Sequence, residues 1–310
     1  MSGERFRGIY SIPVTPFTAS GEADHDALAR VVEFTIAAGA HGLVTPVNVS
    51  EFYTLNDDER RGVVETTVSV CAGRVPVVAG VTGPSTAQAR VFAEHAGRVG
   101  ADAVIAMPPY IRRATGPEVT EYFRVIAEAA GVPVFVQNAE GPAGTPMSAA
   151  QLLALAREVD AVSWVKEETL ASSQRISEVL GDDSGVIDGV MGGKGARYLL
   201  DEYPRGLCGT MPGCEFTDLH AALWRALEAG DRERAHALHR VLLPLVSMED
   251  QYGGAAFCKE VLRRRGVIDS VVVREPASPR LDAVAAALLD ELLATALDAV
   301  AALGEPVVRR

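Results

Sequence analysis

Residues 75–110 read VPVVAGVTGPSTAQARVFAEHAGRVGADAVIAMPPY, and the fold is decided by this stretch. It opens on a β-branched run at 75–81. Residues 86–100 then carry apolar side chains at three- and four-residue steps and end on glycine, and a second apolar run follows at 102–109. A short apolar run without polar alternation reads as a strand buried on both faces. The three- and four-residue spacing is that of an amphipathic helix, and a closing glycine suits the residue just past a helix end. The stretch is therefore a strand–helix–strand unit, which implies parallel strands.

Outward from it the unit recurs. Further strand-like runs stand at 8–14 (GIYSIPV), 41–47 (HGLVTPV), 132–138 (VPVFVQN), 162–168 (VSWVKEE), 184–190 (SGVIDGV) and 205–211 (RGLCGTM), which with the first two makes eight. Helical patterns fill the gaps, as at 26–39 and 118–131, and Ser85 and Ser148 stand where N-caps belong. Eight such units without a break predict an α/β fold closed into a (βα)8 TIM barrel rather than an open doubly wound sheet. Three more helical segments, at roughly 215–247, 252–265 and 278–303, exceed what a barrel needs. The expected organisation is a barrel over 1–228 with a C-terminal helical extension over 229–310 packed on it.

Composition narrows the function. The chain has 310 residues, a length that one α/β barrel accommodates. The formal net charge is −12, the wrong sign for a nucleic-acid surface. The longest apolar runs are interrupted by acids at helical spacing, which argues against a bilayer span, and MSGERFRGIY at the start lacks the apolar core of a signal peptide, so a cytoplasmic protein without membrane contact is expected. Cys71, Cys208, Cys214 and Cys258 show no paired spacing and the six histidines no ligand-spaced cluster, so reduced thiols and no metal are expected. GVMGGKGAR at 189–197 is not a phosphate loop, because that motif needs glycine at 188 and serine or threonine at 195, where Asp188 and Gly195 stand. It reads instead as a loop whose glycines let backbone approach a ligand.

In a barrel the chemistry belongs at the carboxyl ends of the strands. There, alternation in VSWVKEE puts Trp164, Lys166 and Glu168 on one face. A desolvated lysine amine can be neutral and nucleophilic near pH 7, which suits imine formation; the competing reading is a lysine in a salt bridge at a strand end. Strand two ends in Asn48, Ser50, Glu51 and Tyr53, where backbone N–H groups and a hydroxyl suit a carboxylate, although Glu51 reads better as structural. Strand four ends in Tyr110 and strand five in Gln137, Asn138 and Glu140.

These residues resemble the dihydrodipicolinate synthase and N-acetylneuraminate lyase superfamily of class I lyases over about 8–300, through IPVTPF, VPVVAGV, MPPY and VKEET. The resemblance implies that Lys166 is the Schiff-base lysine and that no further cofactor is needed. It also implies that Ser50 and Glu51 end the carboxylate-binding loop, that the backbone at Gly189 and Cys208 flanks a bound 2-oxo acid, and that the chain is a homotetramer. Departures are informative. Gln137 replaces the proton-shuttling tyrosine, Asn48 and Val49 replace paired threonines, and Ile111 replaces the tyrosine that synthases lend across a subunit interface. With MPPY and Glu168, these departures look like the branch containing L-2-keto-3-deoxyarabonate dehydratase.

The expected activity is dehydration of a 2-keto-3-deoxy sugar acid through a lysine imine. Glu168 is the first candidate for proton carrier, with a raised pKa if desolvated, and Tyr110 the second; Gln137 and Asn138 would orient hydroxyls. The alternatives are a pyruvate-dependent aldolase or hydratase-aldolase and a non-catalytic barrel that binds a 2-oxo acid.

Overall fold

The computed structural model describes residues 5–140, 144–277 and 280–304. Its eight strands are β1 (Gly8–Ser11), β2 (Gly42–Thr45), β3 (Val77–Gly80), β4 (Ala103–Ala106), β5 (Val134–Ala139), β6 (Val162–Glu168), β7 (Gly189–Gly192) and β8 (Gly209–Thr210). They hydrogen-bond in sequence order as a closed barrel, with parallel pairing. Strands β1 to β5 are buried at every position, as the lack of polar alternation requires. By contacts the chain divides into two compact units, Met1–Arg7 with Pro76–Met211 and Gly8–Val75 with Pro212–Arg310.

The first unit holds helices α3 (Thr86–Val99), α4 (Gly116–Ala130), α5 (Ala149–Glu158), α6 (Ser172–Leu180) and α7 (Leu199–Glu202). The Ser85 hydroxyl accepts from the Gln88 amide, and Ser148 forms a reciprocal capping box with Gln151. Beneath the carboxyl end of β6, Phe6, Phe135 and Trp164 meet with ring centroids 5.1–5.4 Å apart. This aromatic layer is buried and lies two residues below Lys166 on the same strand face.

The second unit holds α1 (His25–Ala37), α2 (Asp57–Cys71), α8 (Thr217–Glu228), α9 (Arg232–Tyr252), α10 (Ala255–Arg264) and α11 (Ala283–Ala302). The single helical pattern expected over 215–247 is two helices. Gly230 at φ +70° breaks it, and Asp231 caps α9 by accepting from the Arg234 amide. A run of alanine and leucine hides such a break, because periodicity persists on both sides of it. Helix α9 packs on α8 and on α11. Of the helix expected over 278–303, residues 278 and 279 lie outside the described residues. No described helix is long and apolar enough to cross a membrane.

The second unit is also tied by buried charge. Lys259 on α10 is fully buried and pairs with Glu51, donates to the Val272 carbonyl at 2.8 Å, and has its Nζ 4.2 Å from the centre of the Phe17 ring. Burial pushes the Glu51 carboxyl up and the Lys259 amine down, and each partner's charge opposes its neighbour's shift. Glu51, at φ +57°, is thus engaged within the protein by Lys259. Removing one member of such a pair strands the other charge in a dry site. Lys259→Met is expected to destabilise the protein by about 3–5 kcal/mol, and Glu51→Gln in the same chain to recover part of that loss. Urea unfolding of the single and double variants checks this.

Candidate active site

The centre of the first unit is set by the register of β5, β6 and β7. Gln137 lies opposite Lys166, and Lys166 opposite Met191. Because side chains alternate, Lys166 and Glu168 emerge on one face and Glu167 on the other. Lys166 is buried, and its Nζ lies 3.0 Å from Glu168 Oε2. The same oxygen accepts from Gln137 Nε2 at 2.8 Å. Glu168 Oε1 accepts from the Lys194 backbone amide at 3.4 Å. The lysine and the glutamine thus converge on one carboxylate oxygen.

The expected upward shift of Glu168 is overturned. Burial does push its carboxyl up, but the Lys166 charge, the Gln137 amide, the Lys166 hydrogen bond and the Lys194 amide outweigh burial and hold it below the ordinary carboxylate range. In the resting protein Glu168 is therefore ionised. The upward shift is expected only for an uncompensated carboxyl, and the compensating partner stands two residues away on the same strand.

The glycines of the 189–197 loop approach this carboxylate. A Cβ on Gly193 would stand 2.2 Å from Glu168 Oε1, so any larger residue there would displace it. Gly189, opposite Trp164, faces that ring and the Cys208 sulfur, 2.5 and 2.8 Å from where its Cβ would be. Cys208 is buried, its Sγ donating to the Val190 carbonyl at 3.1 Å, and burial pushes its thiol up to about 12. It stays protonated and is not a nucleophile.

Asn138, Val49 and Ser50 are engaged by protein. Asn138 points away from Gln137: its Nδ2 donates to Glu167 at 2.7 Å and to the Met147 carbonyl at 3.0 Å, and its Oδ1 accepts from the Met147 amide. Tyr110 lies in the turn after β4, partly buried. In the second unit, Asn48, Val49 and Ser50 form a short 3-10 turn after β2. Asn48 is exposed and Val49 packs on a buried apolar cluster, while the buried Ser50 hydroxyl donates to the Pro13 carbonyl at 2.7 Å.

Two buried acids escaped the sequence reading. Glu167 accepts from Asn138 and from the Thr169 amide at 2.8 Å, and burial raises its carboxyl. Glu202, at the end of α7, accepts from the Ser172 hydroxyl at 2.6 Å, while its Oε2 has no hydrogen-bond partner among the described residues. That oxygen would lie 2.4 Å from a Cβ on Gly192. Burial, against the Ser172 bond and reinforced by Asp201, Glu167 and Glu168, raises Glu202 to about 7. Nothing in LLDEYP signals burial of a glutamate; only the glycine at 192 hints that something must approach.

Residues 5–293 match the model of the Dihydrodipicolinate synthetase family. The chain is 34% identical over 278 residues to L-2-keto-3-deoxyarabonate dehydratase of Azospirillum brasilense, covering 89% of this chain and 90% of that one. It is 32% identical over 299 residues to a 4-hydroxy-tetrahydrodipicolinate synthase of Rhizobium meliloti, covering 93% and 97%. Among solved structures, a prophage protein of E. coli K12 from the dihydrodipicolinic acid synthase family, in complex with pyruvate, superposes with a TM-score of 0.87 at 26% identity, covering 94% of this chain and 98% of that one.

Glu202 has a measurable consequence. Its carboxyl keeps a proton to about pH 7 when folded, against an ordinary value of 4.5. Between those values the native state binds the extra proton, so this group's contribution falls as pH rises from about 4.5 to 7, by about 3 kcal/mol in all, and is level above. Glu202→Gln keeps an acceptor for Ser172 and has no proton to lose. Its melting temperature is expected to fall less than the wild type's across that window; parallel curves would refute the assignment.

Proposed function

Because the chain belongs to the dihydrodipicolinate synthetase family, it is a class I lyase, and we propose that it dehydrates a 2-keto-3-deoxy sugar acid through an imine on Lys166. The family works through a covalent lysine–pyruvate Schiff base without an added cofactor. One observation carries the finer proposal: the 3.0 Å pair of Lys166 Nζ with an ionised Glu168, braced by Gln137.

Glu168 takes a proton from the Lys166 ammonium, freeing the amine to attack C2 of the 2-oxo acid. The protonated carboxyl gives that proton to the C2 hydroxyl, which leaves as water as the imine forms. The regenerated carboxylate removes a proton from C3, acidified by the iminium, to give an enamine. The enamine expels the C4 hydroxyl, which leaves as a second water with the proton held by Glu168. Hydrolysis of the conjugated imine restores the lysine and releases the dehydrated acid. One carboxyl group within reach of the nitrogen does the work that a tyrosine does in the synthases. Gln137 spends its amide donor on Glu168 and keeps its carbonyl oxygen to accept from a substrate hydroxyl. Asn138 supports β5 and the segment at Met147 rather than the substrate.

A pyruvate-dependent aldolase reaction through the same imine is the second reading, favoured by the pyruvate complex of the E. coli relative. Product analysis separates them, since cleavage releases pyruvate and dehydration retains the carbon chain. The proposed assembly is a homotetramer, in keeping with the family resemblance; light scattering should give about four times the 32.8 kDa chain.

Borohydride with pyruvate is expected to fix mass on Lys166 in the wild type and none in Lys166→Met. Glu168→Gln should lower kcat by about 10²–10⁴-fold while still forming the adduct slowly. An unaltered kcat in Glu168→Gln would remove Glu168 from the mechanism.

A further inference from the structure

In the second unit, three side chains with metal-ligand chemistry meet. Glu215 lies in the 3-10 turn Cys214–Phe216 before α8, Glu249 near the end of α9, and Cys258 in the first turn of α10. One carboxylate oxygen from each glutamate and the cysteine sulfur all lie within 4.8 Å of one another. Glu215 and Cys258 are fully buried, and Glu249 partly so.

The Glu215 carboxylate sets this cluster apart from an ordinary group of acids. Both of its oxygens are buried without a hydrogen-bond partner among the described residues, and the group facing them is the Cys258 sulfur. A thiol is a weak donor and leaves such an acid undersatisfied. The neighbouring cation, Arg265, is directed elsewhere: it donates to both oxygens of Asp218 and, at 2.7 Å, to the main-chain carbonyl of Glu215. The backbone has also been cleared. A Cβ on Gly213 would stand 2.4 Å from Glu215 Oε2 and 3.2 Å from Cys258 Sγ, so oxygen and sulfur converge over one bare α-carbon. Cys258 packs in a buried, largely apolar cluster with Val14, Val31, Phe34, Cys214 and Leu262.

We propose that Glu215, Glu249 and Cys258 bind one divalent transition-metal ion of borderline softness, with Zn²⁺ as the type. A thiolate beside two carboxylates disfavours Mg²⁺ and Ca²⁺, which take oxygen alone, and suits a four-coordinate ion. Zinc–ligand distances of about 2.0–2.3 Å place neighbouring ligand atoms about 3.5 Å apart, which small side-chain rotations reach from the observed cluster. Three protein ligands leave one position for water or the second oxygen of a carboxylate. The ion joins α9 and α10 to the turn that opens α8, and its role is to fasten these elements. It takes no part in the imine chemistry, so the inference stands or falls apart from the proposed reaction.

Full-length protein stripped with a chelator is titrated with Co²⁺ alone, then with Zn²⁺. The expected result is one equivalent of Co²⁺ with a thiolate-to-cobalt charge-transfer band in the near ultraviolet, lost when Zn²⁺ displaces it. Cys258→Ser should abolish the band and Cys71→Ser, at a buried thiol elsewhere, should keep it. Glu215→Gln and Glu249→Gln should each weaken Zn²⁺ binding more than about tenfold. Glu249→Gln, at the partly exposed ligand, keeps the test decisive if a core variant fails to fold. Absence of the band in wild type, its survival in a folded Cys258→Ser variant, or unchanged Zn²⁺ affinity in Glu249→Gln would overturn the site and leave a protonated acid facing a thiol.

Discussion

The two-residue repeat of one strand governs the geometry of the proposed reaction centre. Along β6, Trp164, Lys166 and Glu168 share a face, and Glu167 takes the other. A buried ammonium is tolerable only beside a counter-charge, and the strand supplies one two residues on. A slip of one residue would exchange Glu168 for Glu167, sending the lysine to the wrong side of the sheet and leaving an acid where an amine belongs. The aromatic layer of Phe6, Phe135 and Trp164 supports this arrangement from below, and the Gln137 amide steadies it from the next strand.

Buried ionisable groups recur, and the molecule settles them in two ways. Lys166 with Glu168, Lys259 with Glu51, and Arg265 with Asp218 each oppose charge with charge. Among the described residues Glu167 and Glu202 form no ion pair; they rely on hydroxyl, amide and backbone donors, and burial raises both carboxyls toward the neutral form. Glu168 is held below the ordinary range and so stays ionised, whereas Glu167 and Glu202 are held above it and reluctant to give a proton up.

Much of this was legible in the chain. The eight strands, their parallel order, the serine caps and the shared face of Lys166 and Glu168 follow from periodicity, which is local and repeats. What was not legible depended on relations between distant segments. The split between α8 and α9 turned on one glycine inside a long apolar pattern. Asn138 looked like a rim residue until the register placed it against Glu167. The direction of the Glu168 shift depended on a balance between burial and charge that residue identity alone does not fix. Glu202 was invisible, because the space it occupies is made by the absence of a side chain at Gly192.

That adjoining pair, Gly192 and Gly193, matters for redesign of the scaffold. Each gives up its side chain to a different glutamate, one at the proposed reaction centre and one at the end of α7. A campaign that randomised the loop after β7 to reach new substrates would therefore hit two essential voids at once, and most of its library would be lost to misplaced acids rather than to altered selectivity. The turn after β4, where Tyr110 is only partly buried and Ile111 stands in solvent, is the more permissive place to write new specificity.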